Sequence, residues 1–298
     1  MTGLGDVDLD AFRPCPGGVY RSAGVVVRRR RPSAGRRLGM TRTPTFDVSR
    51  AGDALLVEHA LTAADVSDDL AGLLTQELFD PGWVRGAELF EEIFTGVVLT
   101  CADDPREAWI RFYRNTIRRL DDEIRTPTGR GSIAQFAPVH AHVTELVRGP
   151  SVLELGSCFG FQALRLAARG LDVTASDLAP GTVALLAEMS ASLQVPVRTL
   201  VADASRVPLP DRCADTVLVV HLLEHVEPDV AVQVVREACR LARRRVVVAV
   251  PFDREPQEQF GHLRCLTLAD VRAWGEQTDW AWTSYEHHGG WLVLDRPR

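Results

Sequence analysis

Lysine is absent from this chain of 298 residues: all 34 basic side chains are arginine. We read that bias as the codon usage of a GC-rich genome, not as a function. Long apolar runs are also missing. None approaches the ~20 residues that cross a bilayer as a helix, so no membrane insertion is expected. The arginines Arg28 to Arg31 resemble the start of a twin-arginine export signal. Pro32, Ser33, Gly35, Arg36 and Arg37 follow where an apolar stretch is required, and this excludes a signal peptide. The six cysteines, at 15, 101, 158, 213, 239 and 265, show no C-x-x-C spacing. A disulfide framework and a structural zinc site are thereby excluded, and a reducing cytoplasm is the expected location. Positive charge is scarce beyond the first 42 residues, which hold nine Arg and three Asp. With a net charge of −6 overall, the remainder stands at −12. So acidic a body repels phosphate backbones, and a nucleic-acid partner is excluded.

What is present is the composition of a globular protein, long enough for one large domain or two small ones. Residues 1–43 carry Gly, Pro and Arg without periodicity, and a disordered basic tail is expected there. Met40 serves equally well as a first residue, leaving open whether residues 1–39 are translated. Residues 44–131 are expected to form a mostly helical cap with a small hairpin. Phe46 and Val48 alternate on one arm, Leu55 and Val57 on the other, with Ala51-Gly52-Asp53 between. Helical spacing follows in 64–78, 83–99 and 105–124, the last opening on Pro105. The aromatic stripe Trp109, Phe112 and Tyr113 is expected to be core, and the cap to cover the substrate side of the domain that follows.

Residues 132–298 alternate strands and helices. Val152 to Leu155 is an apolar strand that runs into the turn Gly156-Ser-Cys-Phe-Gly160. A second strand, Leu171 to Ser176, ends on Asp177, placing an acid beside the turn where it can accept both hydroxyls of a ribose. A dinucleotide needs G-x-G-x-x-G, so that its pyrophosphate meets bare backbone. Here Cys158 stands at the middle glycine position and the third is not glycine either. S-adenosyl-L-methionine carries no phosphate and tolerates that crowding, so it is the expected cofactor. The strand from Val197 to Ala202 ends on Asp203, an acid placed to accept from an adenine amino group. Asp215 to Val220 runs into His-Leu-Leu-Glu-His-Val at 221–226, and Arg245 to Val250 is a β-branched strand of the buried parallel kind. Trp280 to Glu286 and Trp291 to Asp295 flank Gly289-Gly290 as a terminal hairpin.

With these residues in view, the run from Ser151 to Val226 resembles the core of the class I S-adenosylmethionine-dependent methyltransferases, and the hairpin extends the likeness to the C-terminus. The resemblance implies an α/β doubly wound, Rossmann-like sheet of seven strands with an antiparallel C-terminal hairpin. It implies cofactor-binding roles for Glu154, Gly156, Cys158 and Gly160 in the loop. Asp177 with Leu178 would serve the ribose side, Asp203 with Ala204 the adenine side, and His221 the methionine end. Cys158 departs from the glycine usual in that family. Phe46-Asp-Val-Ser, Phe94-Thr-Gly-Val-Val-Leu-Thr, the 156–160 loop and Gly261-His-Leu-Arg together look like the actinobacterial mycofactocin oligosaccharide methyltransferases. That resemblance implies O-methylation of a glucose hydroxyl on the glycan of a peptide-derived redox cofactor.

Methyl transfer to an alcohol-like oxygen needs alignment and a base within hydrogen-bond reach, and His suits that role near neutral pH. His262, in the loop after the strand ending at Val250, and His225 are the expected catalytic residues. Arg264 is either an anion clamp or solvated, and Pro251 to Arg254 should wall the pocket. His140 and His142, on the helix before the first strand, are second candidates. His221-x-x-Glu224-His225 matches the inverted zinc-protease signature, whose metal requires both imidazoles on one helix face. His221 closes a strand instead, and the third ligand would have to be His287 or His288, which belong to an exposed hairpin turn. No metal ligand is therefore assigned.

The expected activity is methyl transfer to oxygen of a small-molecule or oligosaccharide acceptor. Histidines crowd the site, and the Asn-Pro-Pro-Tyr amide clamp is absent. Alternatives are an O-methyltransferase acting on a quinone, polyketide or lipid-linked sugar, a nicotinamide-dependent oxidoreductase, and a non-catalytic S-adenosylmethionine-binding module. Oligomeric state is left open.

Overall fold

The structure is a computed structural model that describes residues 10–30, 39–255 and 257–297. They fall into two units, Asp10–Phe136 and, from Ala137 onward, the remainder.

The first unit begins with strands where the sequence suggested a tail. β1 (Val19–Arg21), β2 (Val25–Arg29), β3 (Thr41–Arg42), β4 (Phe46–Ala51) and β5 (Ala54–His59) make one sheet in the order β1-β2-β5-β4-β3. β4 and β5 are the expected hairpin, paired from Phe46–His59 to Ala51–Ala54. β2 lies parallel to β5, with Val25 opposite Leu55 and Val27 opposite Val57. Val25 and Val27 are wholly buried while Val26 and Arg28 point away, the two-residue alternation of a half-buried strand. The expectation of a disordered 1–43 segment is thus corrected for residues 10–30 and 39–43, while residues 1–9 and 31–38 lie outside the described residues. The physical reason is charge pairing as much as burial. Arg28 pairs with the buried Glu58, and Arg30 and Arg42 both pair with the buried Asp47. Buried carboxylates need such partners, so these arginines are structural counter-ions and not a basic arm.

The helices of this unit are α1 (Asp69–Leu74), continued as a π-helical turn over Thr75–Phe79, then α2 (Ala87–Leu99) and α3 (Pro105–Arg125). α3 starts cleanly: Asp104 accepts from the Glu107 amide and Pro105 fills the first position. Trp109, Phe112 and Tyr113 are fully buried, as the aromatic stripe predicts, and the Trp109 indole donates to Ala11 O at 2.6 Å. α2 lies against the sheet at Gly96, where a β-carbon would come within 2.7 Å of Tyr20 and Val27. The unit is therefore a five-stranded sheet with helices, not a mostly helical cap. Its boundary also falls later than residue 131, inside α4 (Gly131–Leu146), because the first turn of that helix is tied back to Asp68 and Asp69 by Ser132 and Ile133.

The second unit carries β6 (Ser151–Leu155), α5 (Phe161–Ala167), β7 (Asp172–Asp177), α6 (Pro180–Leu193), β8 (Arg198–Val201), β9 (Ala214–Val220), α7 (Pro228–Leu241), β10 (Ala242–Val250), α8 (Leu268–Glu276), β11 (Ala281–Glu286) and β12 (Gly290–Asp295). The sheet order is β11-β12-β10-β9-β6-β7-β8. β10, β9, β6, β7 and β8 are mutually parallel, and β12 pairs antiparallel with both β10 and β11. This is the expected seven-stranded doubly wound sheet with its antiparallel hairpin. The central strands are apolar on both faces, as strands covered by helices on each side must be. Strand order reverses between β6 and β9, so a crevice opens outside their carboxyl ends.

Candidate active site

Two loops leave that edge from β6 and β7. Gly156 and Gly160 both adopt left-handed backbone, at φ 69° and 71°, which bends the chain sharply after β6. Packing requires glycine there as well: a β-carbon on Gly156 would lie 2.8 Å from Leu222, and one on Gly160 2.4 Å from Leu186. Cys158 also takes positive φ, 47°, and its side chain is exposed. The turn is closed by Ser157 N donating to Ser176 O at 2.9 Å and Gly160 N to Ser157 O at 2.8 Å.

Asp177 ends β7 directly beside this turn. Its two carboxylate oxygens accept from Cys158 N at 2.8 Å and Ala179 N at 3.1 Å. Each oxygen keeps a lone pair, so the residue can still accept from a diol. Leu178 follows with 70% of its surface exposed, an apolar side chain at the mouth of the crevice. Asp203, past the end of β8, is exposed, and its Oδ1 is taken up by the amide and hydroxyl of Ser205 at 2.8 and 2.7 Å. Oδ2 remains, next to the partly buried Ala204.

Beneath the turn, Glu154 is 4% exposed and its Oε2 has no hydrogen-bond partner. Burial pushes this carboxyl up to about 8, with nearby Asp177 adding to the effect and the Ala163 amide opposing it. A buried carboxylate with one partnerless oxygen, a diol-ready Asp177 and an exposed apolar Leu178 fit a nucleoside that also bears a cationic amino-acid end. They bring together every residue expected at the cofactor loop.

A second set of side chains leaves β9 and β10. His221 follows β9 in left-handed conformation, φ 52°, with its amide bonded to Ala249 O at 2.8 Å. Leu223–His225 is a single 3₁₀ turn, so His221 and His225 share no α-helix, as the sequence argued. After β10 the chain runs through Asp253 to His262 and returns. Leu263 N donates to Glu224 O at 2.9 Å, and the His225 and His262 rings meet edge to face at 4.8 Å. His262 Nδ1 is hydrogen-bonded to Asp253 Oδ2 at 2.7 Å, and His225 Nδ1 lies 3.3 Å from Gly261 O. Burial drives His225 down to about 4 and His221 to about 3, with neighbouring histidines adding to both shifts, so both rings are neutral at physiological pH. The two expected catalytic histidines are thus adjacent, although 37 positions separate them in sequence.

Other candidates lie elsewhere. His140 is hydrogen-bonded through Nδ1 to Gln162, under the cofactor turn, and burial pushes it to about 4. His142 is turned to the C-terminal hairpin, with Nε2 2.7 Å from the Tyr285 hydroxyl and its ring against Trp291, so it is not a site residue. Arg264 is partly buried, lies over the Trp274 ring and reaches Leu223 O. His287 and His288 are exposed, as expected. Sequence reasoning gave Asp253 only a walling role and overlooked it as the partner of His262. The signal was its position three residues past β10, at the same edge as His221.

Residues 153–250 match the family model described as a methyltransferase domain. The match spans about a third of the chain. The chain's cofactor is S-adenosyl-L-methionine, and the matched segment contains the turn, Asp177, Asp203 and His225. No curated protein matches the chain in sequence. Among solved structures, the chain is similar to the PH0226 protein from Pyrococcus horikoshii OT3 at 14% identity, covering 60% of this chain and 97% of that one, with a TM-score of 0.47. A SAM-dependent methyltransferase from Aquifex aeolicus matches at 19% identity, covering 60% and 95%, with a TM-score of 0.45. Magnesium protoporphyrin IX methyltransferase from Synechocystis PCC 6803, crystallised with bound SAM, matches at 17%, covering 64% and 84%, with a TM-score of 0.41. Likenesses this remote carry no inference about activity. No helix among the described residues is long and apolar enough to cross a membrane.

Proposed function

We propose that this protein transfers a methyl group from S-adenosylmethionine to a hydroxyl oxygen of a small or oligosaccharide acceptor. The observation that carries the reading is the joining of Asp253, His262 and His225 at the same sheet edge as the cofactor turn.

When bound, the cofactor supplies a methyl group already activated by its sulfonium, so the protein's tasks are alignment and proton removal. Asp177 holds the ribose hydroxyls, and Asp203 Oδ2 is available to the adenine amino group. The partnerless oxygen of Glu154 would accept from the cationic amino-acid end. The side chain of Cys158 borders the turn, and His221 borders the methionine end. At the acceptor end, His262 is the base. Asp253 holds its Nδ1–H, which presents Nε2 to the hydroxyl and stabilises the imidazolium formed. The neutral ring of His225 lines the same space.

The finer assignment is O-methylation of a glucose hydroxyl on the mycofactocin oligosaccharide, and it rests on the sequence likeness of Phe46-Asp-Val-Ser, Phe94-Thr-Gly-Val-Val-Leu-Thr, the 156–160 loop and Gly261-His-Leu-Arg alone. Mass spectrometry of metabolites from cells with and without the gene tests it. A glycan that loses one methyl group when the gene is deleted supports the assignment, and an unchanged glycan alongside an altered quinone or lipid-linked sugar redirects it.

A further inference from the structure

We propose that Glu224, His225 and His262 form a binding site for one divalent transition-metal ion at the acceptor end of the cofactor crevice. One ligand atom from each residue can be chosen so that all three lie within 4.8 Å of one another. Two independent features show that this grouping is built to receive something. Glu224 is 0% exposed, and neither carboxylate oxygen makes a hydrogen bond to another described residue, leaving its own amide and the nearby Arg264 charge as its favourable surroundings. A carboxylate left bare in the interior is costly unless a cation or donor meets it. Both imidazoles, moreover, are held from behind. His262 Nδ1 is bound to the Asp253 carboxylate, and His225 Nδ1 faces the Gly261 carbonyl. That outer bond fixes the tautomer and ring plane and leaves Nε2 as the donor, the arrangement in which histidines ligate metals. His221 adds a fourth nitrogen nearby, its Nδ1 3.5 Å from Glu224 Oε1.

The donor set selects the ion. Two imidazoles and one carboxylate suit Zn²⁺, Mn²⁺, Fe²⁺ or Co²⁺, whereas Mg²⁺ and Ca²⁺ prefer oxygen throughout. Bonds of ~2.0–2.2 Å bring ligand atoms to roughly 3.0–3.5 Å from each other, so the cluster closes by about 1.5 Å on loading. Three protein ligands leave positions open, as in catalytic sites.

The consequence deepens the proposed O-methylation and rests on it for the identity of the acceptor group. A hydroxyl bound to the ion becomes a stronger acid. Its proton passes to solvent, the oxygen–methyl bond forms, the methyl–sulfur bond breaks, and the bonding pair stays on sulfur. In this state the Nε2 lone pair of His262 is committed to the ion, which replaces the imidazole as the group that activates the hydroxyl. Neighbouring hydroxyls on a sugar ring suit two open positions at once.

The test uses the untagged full chain, stripped by chelator and titrated with Co²⁺ and with Zn²⁺, read by visible absorption and calorimetry. Titration of the same samples with S-adenosylhomocysteine reports folding and the cofactor site independently. The proposal expects one ion per chain. It also expects Kd raised at least roughly tenfold in Glu224→Gln and roughly 10- to 100-fold in Asp253→Asn, with S-adenosylhomocysteine binding retained in both. A wild-type chain that takes up no stoichiometric ion overturns the site, as does a Glu224→Gln variant that binds as tightly as wild type. Ion uptake without S-adenosylhomocysteine binding supports the metal site and overturns the methyl-transfer reading instead.

Discussion

The two ends of the crevice are built differently. The cofactor turn is made locally: Gly156 to Gly160 bends on itself, and its hydrogen bonds from Ser157 to Ser176 and from Cys158 to Asp177 each span 19 positions. The acceptor end is made by return. His225 meets a loop that arrives only after α7 and β10, and the Glu224–Leu263 backbone bond spans 39 positions. The first is backbone geometry with one acid; the second is a set of titratable side chains with outer partners. Under the proposed function, such a division separates holding the methyl donor from activating the acceptor and makes the two functions separable by mutation.

The largest expected effect is on turnover. His262→Ala should lower kcat by about 10²- to 10⁴-fold, the range for loss of a proton-transfer group, with cofactor Kd unchanged within about twofold. Steady-state kinetics with calorimetry checks both halves. Asp177→Ala should do the converse. Two charge-assisted hydrogen bonds of ~1.5–3 kcal/mol each amount to a weakening of the cofactor Kd of about 10²-fold or more, measured by titration with S-adenosylhomocysteine. Gly156→Ala should breach the division, since its β-carbon would collide with Leu222, which opens the acceptor segment. Left-handed backbone and overpacking together cost about 2–4 kcal/mol, seen as a lower Tm. A Leu222→Ala change in that background should recover only the overpacking part. The smallest effect belongs to Asp203→Ala. With Oδ1 already committed to Ser205, one hydrogen bond is at stake, and the cofactor Kd should rise by less than about tenfold in the same titration.

The cofactor end was legible in sequence because its determinants lie close together: an apolar strand, two glycines, and acids at the ends of the next strands. The seven-stranded sheet followed from the same alternation. The first unit was less legible. Val25–Arg29 gains its strand character from Leu55–His59, a parallel partner about 30 residues on, and its arginines from carboxylates buried in β4 and β5. Nothing local marks Arg28 as a counter-ion to Glu58. The H-x-x-E-H run was visible, but its companion was sought at His287 and His288. β9 and β10 are adjacent and parallel, so the segments following them face one another at a single edge, and this topology points to Asp253 and His262.

The central claim is that an adenosyl sulfonium lies between the Gly156–Gly160 turn and Asp177. A crystal structure grown with S-adenosylhomocysteine tests it most directly. The account predicts both ribose hydroxyls on the Asp177 carboxylate and the sulfur directed toward His225 and His262. Density for the nucleoside at any other place on the chain, with this crevice filled by solvent, would contradict it.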